Sequence, residues 1–520
     1  MMIPIPNVDQ IQNLDLYTIK NDPITSVGLM ERASVIFSNW FEKRFPDREI
    51  NIYIFCGTGN NGGDGLAVSR LLSNKKYKLK TFLFGRPEKC SKDCEINLKR
   101  LYDQNQNIIF IDPDSEFLPP LEIGSIVIDA LLGSGLDRSL KGGLEDLIIH
   151  INEHDVKRIS IDIPSGLFVD RSTEGTSFQA DYVLSFEFPK LAFLMPDNET
   201  RLTSWDFKSI ALLLPENIAS QISNFWITTL AVKNLLKKTA KFSHKGTHGT
   251  AFLIVGQIGF SGAAVLASSA CLKAGCGLLI AHLPKACMNI VQQSIPEAIC
   301  QLNSGKKFLT SSVEIPPKTK VVGIGPGIGT KEETAEVVHQ LLSLCDLPMV
   351  IDADALNIIA ANNLFHLIPK ESILSPHPGE FRRLFGHSKN DFEELEVQRK
   401  KSIELNVYIV FKGAYSRIST PEGKVYFNSS GNPGMAKAGS GDVLTGILTG
   451  LLARGYSSFE AAIIGVHLHG VAADIALDQE SEESLLAVDI IKNMGRAYQK
   501  IRMTAEGGQE DNQNMLEPPL

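Results

Sequence analysis

The sequence predicts an α/β protein made of two successive three-layer units, each with a parallel sheet covered by helices on both faces. Short β-branched runs recur between stretches of helical periodicity, which is the pattern of parallel strands joined by crossover helices. A chain of 520 residues with 43% apolar residues is long enough for two sizeable cores. A Lys-rich stretch within 215–250 separates two series of candidate strands. We therefore expect domains at 1–225 and 226–505, and a disordered tail at 506–520, which is polar and lacks periodicity.

Charge and hydropathy exclude several classes of protein. The formal charge of −8 has the wrong sign for neutralising nucleic-acid phosphates, so we expect no nucleic-acid partner. The longest uncharged stretch, 249–272, is interrupted by polar residues and glycines, and the first ten residues lack a basic segment followed by an apolar run. We expect a cytoplasmic protein with no membrane partner.

The eight cysteines lack the paired spacing of a zinc site, so we expect free thiols. Cys90 and Cys94 stand four residues apart on a predicted helix and could share one face of it.

The candidate strands are short, apolar and rich in β-branched residues. In the first unit they are 51–55, 79–84, 108–111, 126–130, 159–163 and 182–186, and in the second 251–256, 278–282, 321–324, 349–353 and 407–412.

A glycine-rich loop, GTGNNGGDG at 57–65, joins the first of these strands to a helical stretch. Its glycine spacing satisfies the dinucleotide fingerprint, in which backbone N–H groups at a helix N-terminus face a phosphate. An ordinary nicotinamide dehydrogenase would also carry an acidic residue at the end of the next strand, where this chain has Phe84, Gly85 and Arg86. The two asparagines and the aspartate of the loop suggest chemistry or an ion; a tight structural turn is the alternative.

Two further strands of the first unit end in carboxylates, Asp129 and Asp162. The carboxyl ends of parallel strands line one crevice, so Asn61 and Ser165 could converge there with both aspartates. Hard oxygen ligands gathered in this way would suit a cation. For either aspartate alone, a cap on the following turn is the alternative.

In the second unit, Gly439, Gly441 and Asp442 open a helix with apolar residues at i, i+3, i+4, i+7 and i+8. Glycines let backbone N–H groups turn toward a phosphate, and the helix macrodipole favours an anion there. Asp442 would face like charge beside a phosphate, so it would accept a hydroxyl proton; a helix cap is the alternative.

Further loops of the second unit fit the same crevice: VVGIGPGIG at 321–329, MVIDADALN at 349–357, SPHPGEF at 375–381 and VYIVFKGAYS at 407–416. No GxxxxGK[ST] sequence occurs, so the chain is not a P-loop enzyme. His248 and His377 are more often structural residues than catalysts.

The motifs LMERAS, GTGNNGGDG, DALLGSGL and DIPSGL closely resemble the N-terminal domain of the NAD(P)H-hydrate epimerases over about 1–225. The resemblance implies a Rossmann-like domain that interconverts the R and S epimers of nicotinamide coenzymes hydrated at C6, with K⁺ in the site. It implies Asp162 as the catalytic contact and Asn61, Asp129 and Ser165 as K⁺ positions. The implied hydrate contacts are Asn60, Asn61, Gly62, Gly63, Asp64, Gly133, Ser134, Gly135, Leu136, Asp137, Arg138, Ser139 and Asp162.

The motifs SHKGTHGT, GFSGAAVLAS, GIGPGIG, DADALN, SPHPGEF, FKGAYS and NPGMAKAGSGD closely resemble the ADP-dependent NAD(P)H-hydrate dehydratases, a ribokinase-like family, over about 226–505. The resemblance implies phosphorylation of the C6 hydroxyl of the S hydrate by ADP, then loss of phosphate to give NAD(P)H and AMP, with Asp442 as the general base. Transfer from a diphosphate normally needs a divalent cation, so we expect Mg²⁺. The implied hydrate contacts are Gly327, His377, Pro378, Gly379, Glu380, Phe381, Arg382, Arg383 and Asp442. The implied nucleotide contacts are Lys412, Gly413, Ala414, Tyr415, Ser416, Asn432, Pro433, Gly434, Met435, Ala436, Lys437, Ala438, Gly439, Ser440 and Gly441.

Together these resemblances predict a bifunctional coenzyme-repair enzyme, active on hydrated NADH and NADPH with ADP as co-substrate, and a homo-oligomer. One alternative is a ribokinase-like kinase of a small alcohol with an accessory domain, which would have no use for Asn61, Asp129 and Asp162. Another is an idle nucleotide-binding sensor or scaffold, which predicts loss of the proton-transfer residues, whereas Asp162 and Asp442 are both present.

Overall fold

The computed structural model describes residues 2–505, which form two compact units. The N-terminal unit is Pro4–Ser223 together with Asn390–Phe392, and the C-terminal unit comprises the described residues before Pro4, Asn224–Lys389 and the described residues from Glu393 onward. The strand Ile3–Pro4 and the helix Asp391–Leu405, described below with the C-terminal unit, begin or end across these bounds. The tail predicted at 506–520 lies outside the described residues.

The N-terminal unit contains a seven-stranded sheet whose neighbouring strands are all parallel. In spatial order the strands are Ile108–Ile111, Lys78–Phe84, Asn51–Cys56, Ile126–Ala130, Lys157–Ile161, Ala180–Phe186 and Leu202–Lys208. The chain order reverses between Asn51–Cys56 and Ile126–Ala130, so the carboxyl ends of these two strands flank a crevice.

Both faces of this sheet are apolar and covered. Ile52 and Ile54 belong to one core cluster, and Tyr53 and Phe55 to another, because successive side chains of a strand point to opposite faces. The α-helices of this unit are Val8–Asn21, Ser26–Arg44, Asn60–Asn74, Lys92–Tyr102, Gly143–Glu153 and Glu216–Ala219, with 3₁₀ turns at Pro87–Lys89, Leu191–Leu194 and Pro196–Asn198.

The C-terminal unit is built on an eleven-stranded sheet. In spatial order its strands are Ile3–Pro4, Asn224–Trp226, Val425–Phe427, Arg417–Ser419, Tyr408–Phe411, Ile373–Leu374, Met349–Ile351, Thr319–Ile324, Thr250–Ile254, Leu278–Pro284 and Ile299–Asn303. The seven strands from Tyr408–Phe411 to Ile299–Asn303 are parallel, whereas Arg417–Ser419 is antiparallel to both of its neighbours.

Helices cover both faces of this second sheet as well. Leu253 packs in one core cluster, and Phe252 and Ile254 pack in the other. The α-helices are Thr229–Leu235, Ser261–Lys273, Lys285–Ser294, Glu332–Leu344, Ala353–Asn362, Pro378–Phe385, Asp391–Leu405, Ser440–Ala453, Ser458–Ala476 and Ala487–Met503, with 3₁₀ turns at Phe365–Leu367 and Pro433–Met435. Among the described residues, Ser458–Ala476 alone is long and apolar enough to cross a membrane, and 83% of its apolar window is buried in the structure.

The predicted fold class is confirmed, while the cysteine prediction needs one correction. Cys90 does not lie on the helix of Cys94: it follows the 3₁₀ turn Pro87–Lys89, and the helix begins at Lys92. The preceding Pro87 favours this separate turn, and Ser91 caps the helix through Cys94 N–H. The two Sγ atoms still lie 3.4 Å apart, and all eight cysteines are free thiols.

Candidate active sites

The glycine loop of the N-terminal unit is a close-packed turn between a strand and a helix. A Cβ on Gly57 would lie 1.9 Å from the Leu131 carbonyl oxygen, and one on Gly62 would lie 1.8 Å from the Gly57 carbonyl oxygen. A Cβ on Gly63 would lie 2.8 Å from Met30 Sδ. Gly62 and Gly63, both expected to contact the hydrate, therefore allow the helix Asn60–Asn74 to start against its neighbours, and neither lines the cavity beside it.

That cavity has a volume of about 1240 Å³ and opens beside the carboxyl ends of the two central strands. Its walls contain the other predicted hydrate contacts of this unit: Asn60, Asn61, Asp64, Gly133, Ser134, Gly135, Leu136, Asp137, Arg138, Ser139 and Asp162. They also contain residues that sequence reasoning missed, among them Asp15 on the helix Val8–Asn21 and Lys190. The structure thus brings together a loop, two helix segments and a strand end that are far apart in the chain.

Asp162 is held at the cavity wall in an unusual conformation. Its φ is 65°, in the left-handed region, which costs energy for a residue other than glycine. Asp162 Oδ1 accepts a hydrogen bond from Phe186 N–H at 3.0 Å and lies 2.9 Å from the ammonium nitrogen of Lys190. The Lys190 side chain is only 2% exposed, so this ion pair is almost fully removed from water.

Two further carboxyl groups of the cavity, Asp15 and Asp64, have a raised pKa. Burial, followed by the negative charge of Asp162, raises the pKa of Asp15 to about 6. Burial also raises the pKa of Asp64 well above its ordinary value, against a lowering hydrogen bond from Ser34. The cavity can therefore both give and take a proton near neutral pH.

The three predicted K⁺ positions meet below the cavity. The buried Asp129 accepts hydrogen bonds from Ser160 Oγ at 2.9 Å, from Ser165 N–H at 2.8 Å and from Ser165 Oγ at 2.5 Å. Asn61 Nδ2 donates to the Leu132 carbonyl at 2.8 Å, and Leu132 N–H donates to Ser165 Oγ, also at 2.8 Å.

Asp129 has neutral partners only. Within residues 2–505 its hydrogen-bond donors are hydroxyl and backbone N–H groups, and no cationic side chain pairs with it. Burial accordingly raises its pKa. Ser165 Oγ lies within hydrogen-bond distance of both the Asp129 carboxylate and the Leu132 carbonyl oxygen, so three hard oxygen ligands of the kind that suits a hard cation are gathered here.

In the C-terminal unit, a buried ion pair lies at the carboxyl ends of the central strands. Lys412 Nζ lies 2.7 Å from Asp352 Oδ1, and Thr445 Oγ1 donates to Asp352 Oδ2 at 2.6 Å. Glu380 Oε2 is 4.0 Å from the same ammonium nitrogen. Lys412 was expected from the sequence, and Asp352 belongs to the loop 349–357 that was expected at the same crevice, whereas Thr445 was not expected.

The helix Ser440–Ala453 begins directly against this pair. Its N-cap Gly439 has a φ of 93°, and a Cβ on Gly441 would lie 3.3 Å from Lys412 Nζ. Asp442 is in the first turn, and its pKa is raised to about 7, mainly by burial and then by Asp352, while Lys412 lowers it. Among the described residues no hydrogen bond to the Asp442 carboxylate is found, so it can accept a proton from a bound hydroxyl.

Among the predicted hydrate contacts of this unit, the structure distinguishes the two arginines and places Phe381 in the core. Arg383 Nη1 donates to Asn357 Oδ1 at 2.7 Å, whereas Arg382 Nε turns away, 3.7 Å from Glu394 Oε1. Phe381 is a core residue and not a ligand contact, since it is fully buried against Phe385 and Phe411. Its aromatic bulk is used for packing because the helix Pro378–Phe385 turns that face to the sheet.

The remaining hydrate positions are the start of the helix Pro378–Phe385 and Gly327, which lies in a separate loop. His377 is the N-cap of the helix that begins at Pro378, with Nδ1 accepting from Gly379 N–H at 3.0 Å and Nε2 3.4 Å from Glu380 Oε1. Gly327 has a φ of 62°, and a Cβ there would lie 2.9 Å from Phe260 Cβ.

The predicted nucleotide positions form two loops. In the first, which includes Ala414, Gly413 N–H donates to Ser416 Oγ at 3.3 Å, and the Tyr415 ring lies 5.7 Å from that of Trp226. In the second, 432–441, Asn432 Nδ2 donates to Asp474 Oδ1 at 3.0 Å, while the buried Asn432 Oδ1 has no hydrogen-bond partner among the described residues. In the same loop, Lys437 donates to the Glu483 carbonyl, and Ser440 Oγ lies 3.4 Å from His469 Nε2. The other positions of this loop are the 3₁₀ turn Pro433, Gly434 and Met435, followed by Ala436 and Ala438.

Two family models match separate parts of the chain. A family model described as NAD(P)H-hydrate dehydratase matches residues 251–496, and one described as YjeF-related protein N-terminus matches residues 26–192. The bifunctional NAD(P)H-hydrate repair enzyme Nnr of Moorella thermoacetica is 33% identical over 93% of this chain and 94% of its own length. The protein of the same name from Thermofilum pendens is 32% identical over 99% and 98%. A crystal structure of an ADP/ATP-dependent NAD(P)H-hydrate dehydratase from Bacillus subtilis, co-crystallised with ATP and Mg²⁺, is 29% identical and covers 53% of this chain and 97% of its own, with a TM-score of 0.46.

Proposed function

This chain belongs to the bifunctional NAD(P)H-hydrate repair enzymes, and we propose that its N-terminal cavity epimerises the hydrated coenzyme while the site at Asp442 dehydrates it. The observation that carries the proposal is the presence of two separate proton-transfer sites in one chain, the Asp162–Lys190 pair and Asp442 above the Lys412–Asp352 pair. Residues 1–225 would form the epimerase domain and 226–505 the dehydratase domain.

Epimerisation at C6 requires reversible loss of the hydroxyl group. The ring nitrogen supplies the electron pair that forms N1=C6 as the C6–O bond breaks, and the departing oxygen takes a proton from an acid. Water then adds to either face of the planar ring and gives up a proton to a base. Asp162 is positioned for such proton transfer, which typically contributes about 10²- to 10⁴-fold to a rate.

A K⁺ ion would be held by Asn61, Asp129 and Ser165, with the Leu132 carbonyl among them. The assignment is supported by the buried carboxylate of Asp129, which has hydroxyl and N–H partners but no cationic side chain paired with it among the described residues. The ion, when bound, supplies positive charge beneath the cavity floor. The loop that follows Leu132 includes Gly133–Ser139, so Asn61 and Ser165 would hold the start of the hydrate-binding loop in place.

Dehydration requires a better leaving group than hydroxide. Asp442 would accept the C6 hydroxyl proton while that oxygen attacks the terminal phosphorus of ADP, so that AMP leaves and a phosphate ester forms. The ring nitrogen then expels phosphate as N1=C6 forms. Loss of a proton from C5 to solvent makes the C5=C6 double bond and returns the electron pair of N1=C6 to nitrogen, which gives NADH or NADPH. Lys412 and the N–H groups that begin the helix at Ser440 would bind the phosphates, and Mg²⁺ would offset part of the charge of the diphosphate.

The order of the two reactions explains their fusion. Epimerisation converts the R hydrate into the S hydrate, which the second site consumes, so both damaged forms are repaired. A kinase of a small alcohol with an accessory domain would share Asp442 and its anion site, but it gives no reason for Asn61, Asp129 and Asp162 to meet. A cytoplasmic location and a homo-oligomeric assembly stay predictions.

The direct test is to mix the full chain with both hydrate epimers and ADP, and then with ATP, and to follow recovery of reduced-nicotinamide absorbance. Complete recovery from a mixture of epimers is the expected result. Recovery of only the S fraction, with R remaining at its buffer rate, would contradict the epimerase assignment.

A further inference from the structure

Three carboxyl groups and one ammonium group share the N-terminal cavity at close range. Asp162, Asp64 and Asp15 come from three different elements, namely a strand end, the helix Asn60–Asn74 and the helix Val8–Asn21. Lys190 forms its ion pair with Asp162, which leaves the other two carboxyl groups without a lysine or arginine of their own among the described residues. Asp162 is close enough to Asp15 for their charges to repel.

Asp15 is the unassigned member of this group. It lies on the cavity-facing side of its helix, where Ile11, Gln12, Leu16 and Ile19 also line the cavity. Asp15 is half-buried, and among the described residues no hydrogen bond or ion pair holds its carboxyl group, although the charge of Lys190 favours its ionised form. The group is therefore free to contact a ligand in the cavity.

Inversion at C6 requires two proton transfers, one on each face of the ring, and two carboxyl groups can perform them. The hydroxyl group leaves from one face of the ring, and the water that replaces it must add to the other. One group on each face, one protonated and the other ionised, performs both proton transfers without rotating the ring.

We propose that Asp15 is the second catalytic carboxyl group of the epimerase site, acting on the ring face opposite to the one that Asp162 serves. This rests on the proposed function of the cavity. In one direction Asp15 gives its proton to the leaving hydroxyl oxygen as the C6–O bond breaks and N1=C6 forms. Water then attacks C6 from the other face, its proton passes to Asp162, and the electron pair of N1=C6 returns to nitrogen. After this turnover Asp15 is ionised and Asp162 is protonated, which is the state that the reverse reaction requires. For a second turnover in the same direction, solvent must take the proton from Asp162 and give one to Asp15.

The electrostatics of the cavity suit this exchange. The pKa of Asp15, raised to about 6 by burial and by Asp162, allows both of its states to be populated near neutral pH. The nearby carboxylate charge also favours the cationic ring that forms when hydroxide is lost. Burial also raises the pKa of Asp64, which lines the same cavity.

The test measures two rates in ¹⁸O-labelled water for the full-length Asp15→Asn variant: interconversion of the epimers, and incorporation of ¹⁸O into each epimer. Interconversion should fall about 10²- to 10⁴-fold. Exchange should persist in the one epimer whose hydroxyl faces Asp162, because that single group can protonate the leaving oxygen and accept the proton of returning water on the same face. Asp162→Asn should show the complementary pattern, with exchange in the other epimer.

Asp9→Asn is the matched control, since Asp9 is an exposed carboxylate on the same helix. ADP-dependent consumption of the S hydrate, measured on each variant, verifies that the chain is folded. Interconversion by Asp15→Asn at the control rate overturns the proposal, as does parallel loss of interconversion and of exchange in both epimers. A wild-type chain that interconverts the epimers no faster than buffer would instead overturn the function of the cavity itself.

Discussion

Lys412 Nζ lies 2.7 Å from Asp352 Oδ1, and these two opposite charges act on Asp442 in opposite directions. Asp352 raises the pKa of Asp442 and Lys412 lowers it, while burial is the largest cause of the shift to about 7. The acid strength of the proposed base therefore depends on a pair of residues that come from two other strands of the sheet.

Replacing Asp442 with asparagine should abolish hydrate consumption without abolishing nucleotide binding. The amide keeps the size of the side chain but cannot accept the hydroxyl proton, so turnover should fall at least about 10²-fold. Calorimetric titration with ADP and an absorbance assay with the S hydrate measure the two properties. Asp478→Asn, at an exposed carboxylate, is the control. Undiminished turnover by the Asp442 variant would remove the proposed base.

The dehydration rate should rise with pH and level off above about pH 7. Asp442 must be ionised to act as a base, and its pKa is about 7, so turnover should increase about tenfold per pH unit well below that value. The measurement is a pH profile of kcat/KM for the S hydrate with ADP, which reports the ionisation of the enzyme before the hydrate binds. A profile that is flat between pH 5.5 and 8, under conditions where chemistry is rate-limiting, would contradict the assignment; the range follows from about one to two units on each side of the pKa.

Replacing Asp162 with alanine should leave repair of the S hydrate intact and abolish repair of the R hydrate. The two reactions are assigned to separate units, so only the first loses its proton-transfer group. Asp162→Asn is the companion variant, because asparagine adopts the left-handed conformation more readily than alanine. It removes the proton-transfer group with less added backbone strain, so the two effects can be told apart. Each purified epimer is followed separately with ADP. Consumption of R at the wild-type rate by both variants would show that the domain assignment is wrong.

Replacing Lys190 with methionine should destabilise the N-terminal unit. It leaves a buried carboxylate without its counterion, which costs about 3–5 kcal/mol. The free energy of unfolding is measured by urea denaturation of the full chain, followed by tryptophan fluorescence. Lys78→Met, at an exposed ion pair, should cost less than about 1 kcal/mol. Adding Asp162→Asn to Lys190→Met should recover most of the loss, and no recovery would mean that the cost lies outside the pair.

Replacing Gly439 with alanine should weaken ADP binding more than replacing Gly455 does. Both glycines have a positive φ, 93° and 88°, and they flank the same helix, so both substitutions carry the same backbone penalty of about 1 kcal/mol. Only at Gly439 would the added Cβ also approach Leu266 Cδ1, to 2.6 Å, and shift the turn that begins the helix. Titration with ADP compares the two variants. Equal dissociation constants would show that this turn does not position the nucleotide.

Most of the sheet architecture could be predicted from the sequence because the buried strands are apolar runs. All eleven expected strands occur, with ends that differ by a few residues at most. Seven strands among the described residues were missed, and they are of two kinds. Five are too short to show a period: Ile3–Pro4, Asn224–Trp226, Ile373–Leu374, Arg417–Ser419 and Val425–Phe427. The other two, Leu202–Lys208 and Ile299–Asn303, contain polar residues and are partly exposed.

The candidate sites were predictable where one local motif carries the residue. Asp162 and Asp442 stand at a strand end and a helix start that can be recognised from their neighbours. Asp15 and Lys190 reach the same cavity from distant elements, and only the tertiary fold joins them. A signal for Lys190 does exist: it is the one charged residue in the apolar run from Phe188 to Met195, which suggests a buried ion pair.

The left-handed backbone conformation of residue 162 limits which residues can replace Asp162 in related chains without backbone strain. Of the twenty residues, glycine, asparagine and aspartate adopt this conformation with the least penalty, and only aspartate among them ionises. A descendant chain that has lost selection for this chemistry should therefore carry asparagine or glycine at this site while its surroundings remain intact. Asparagine or glycine at this position would therefore identify, from the sequence alone, a related chain that has lost the epimerase activity.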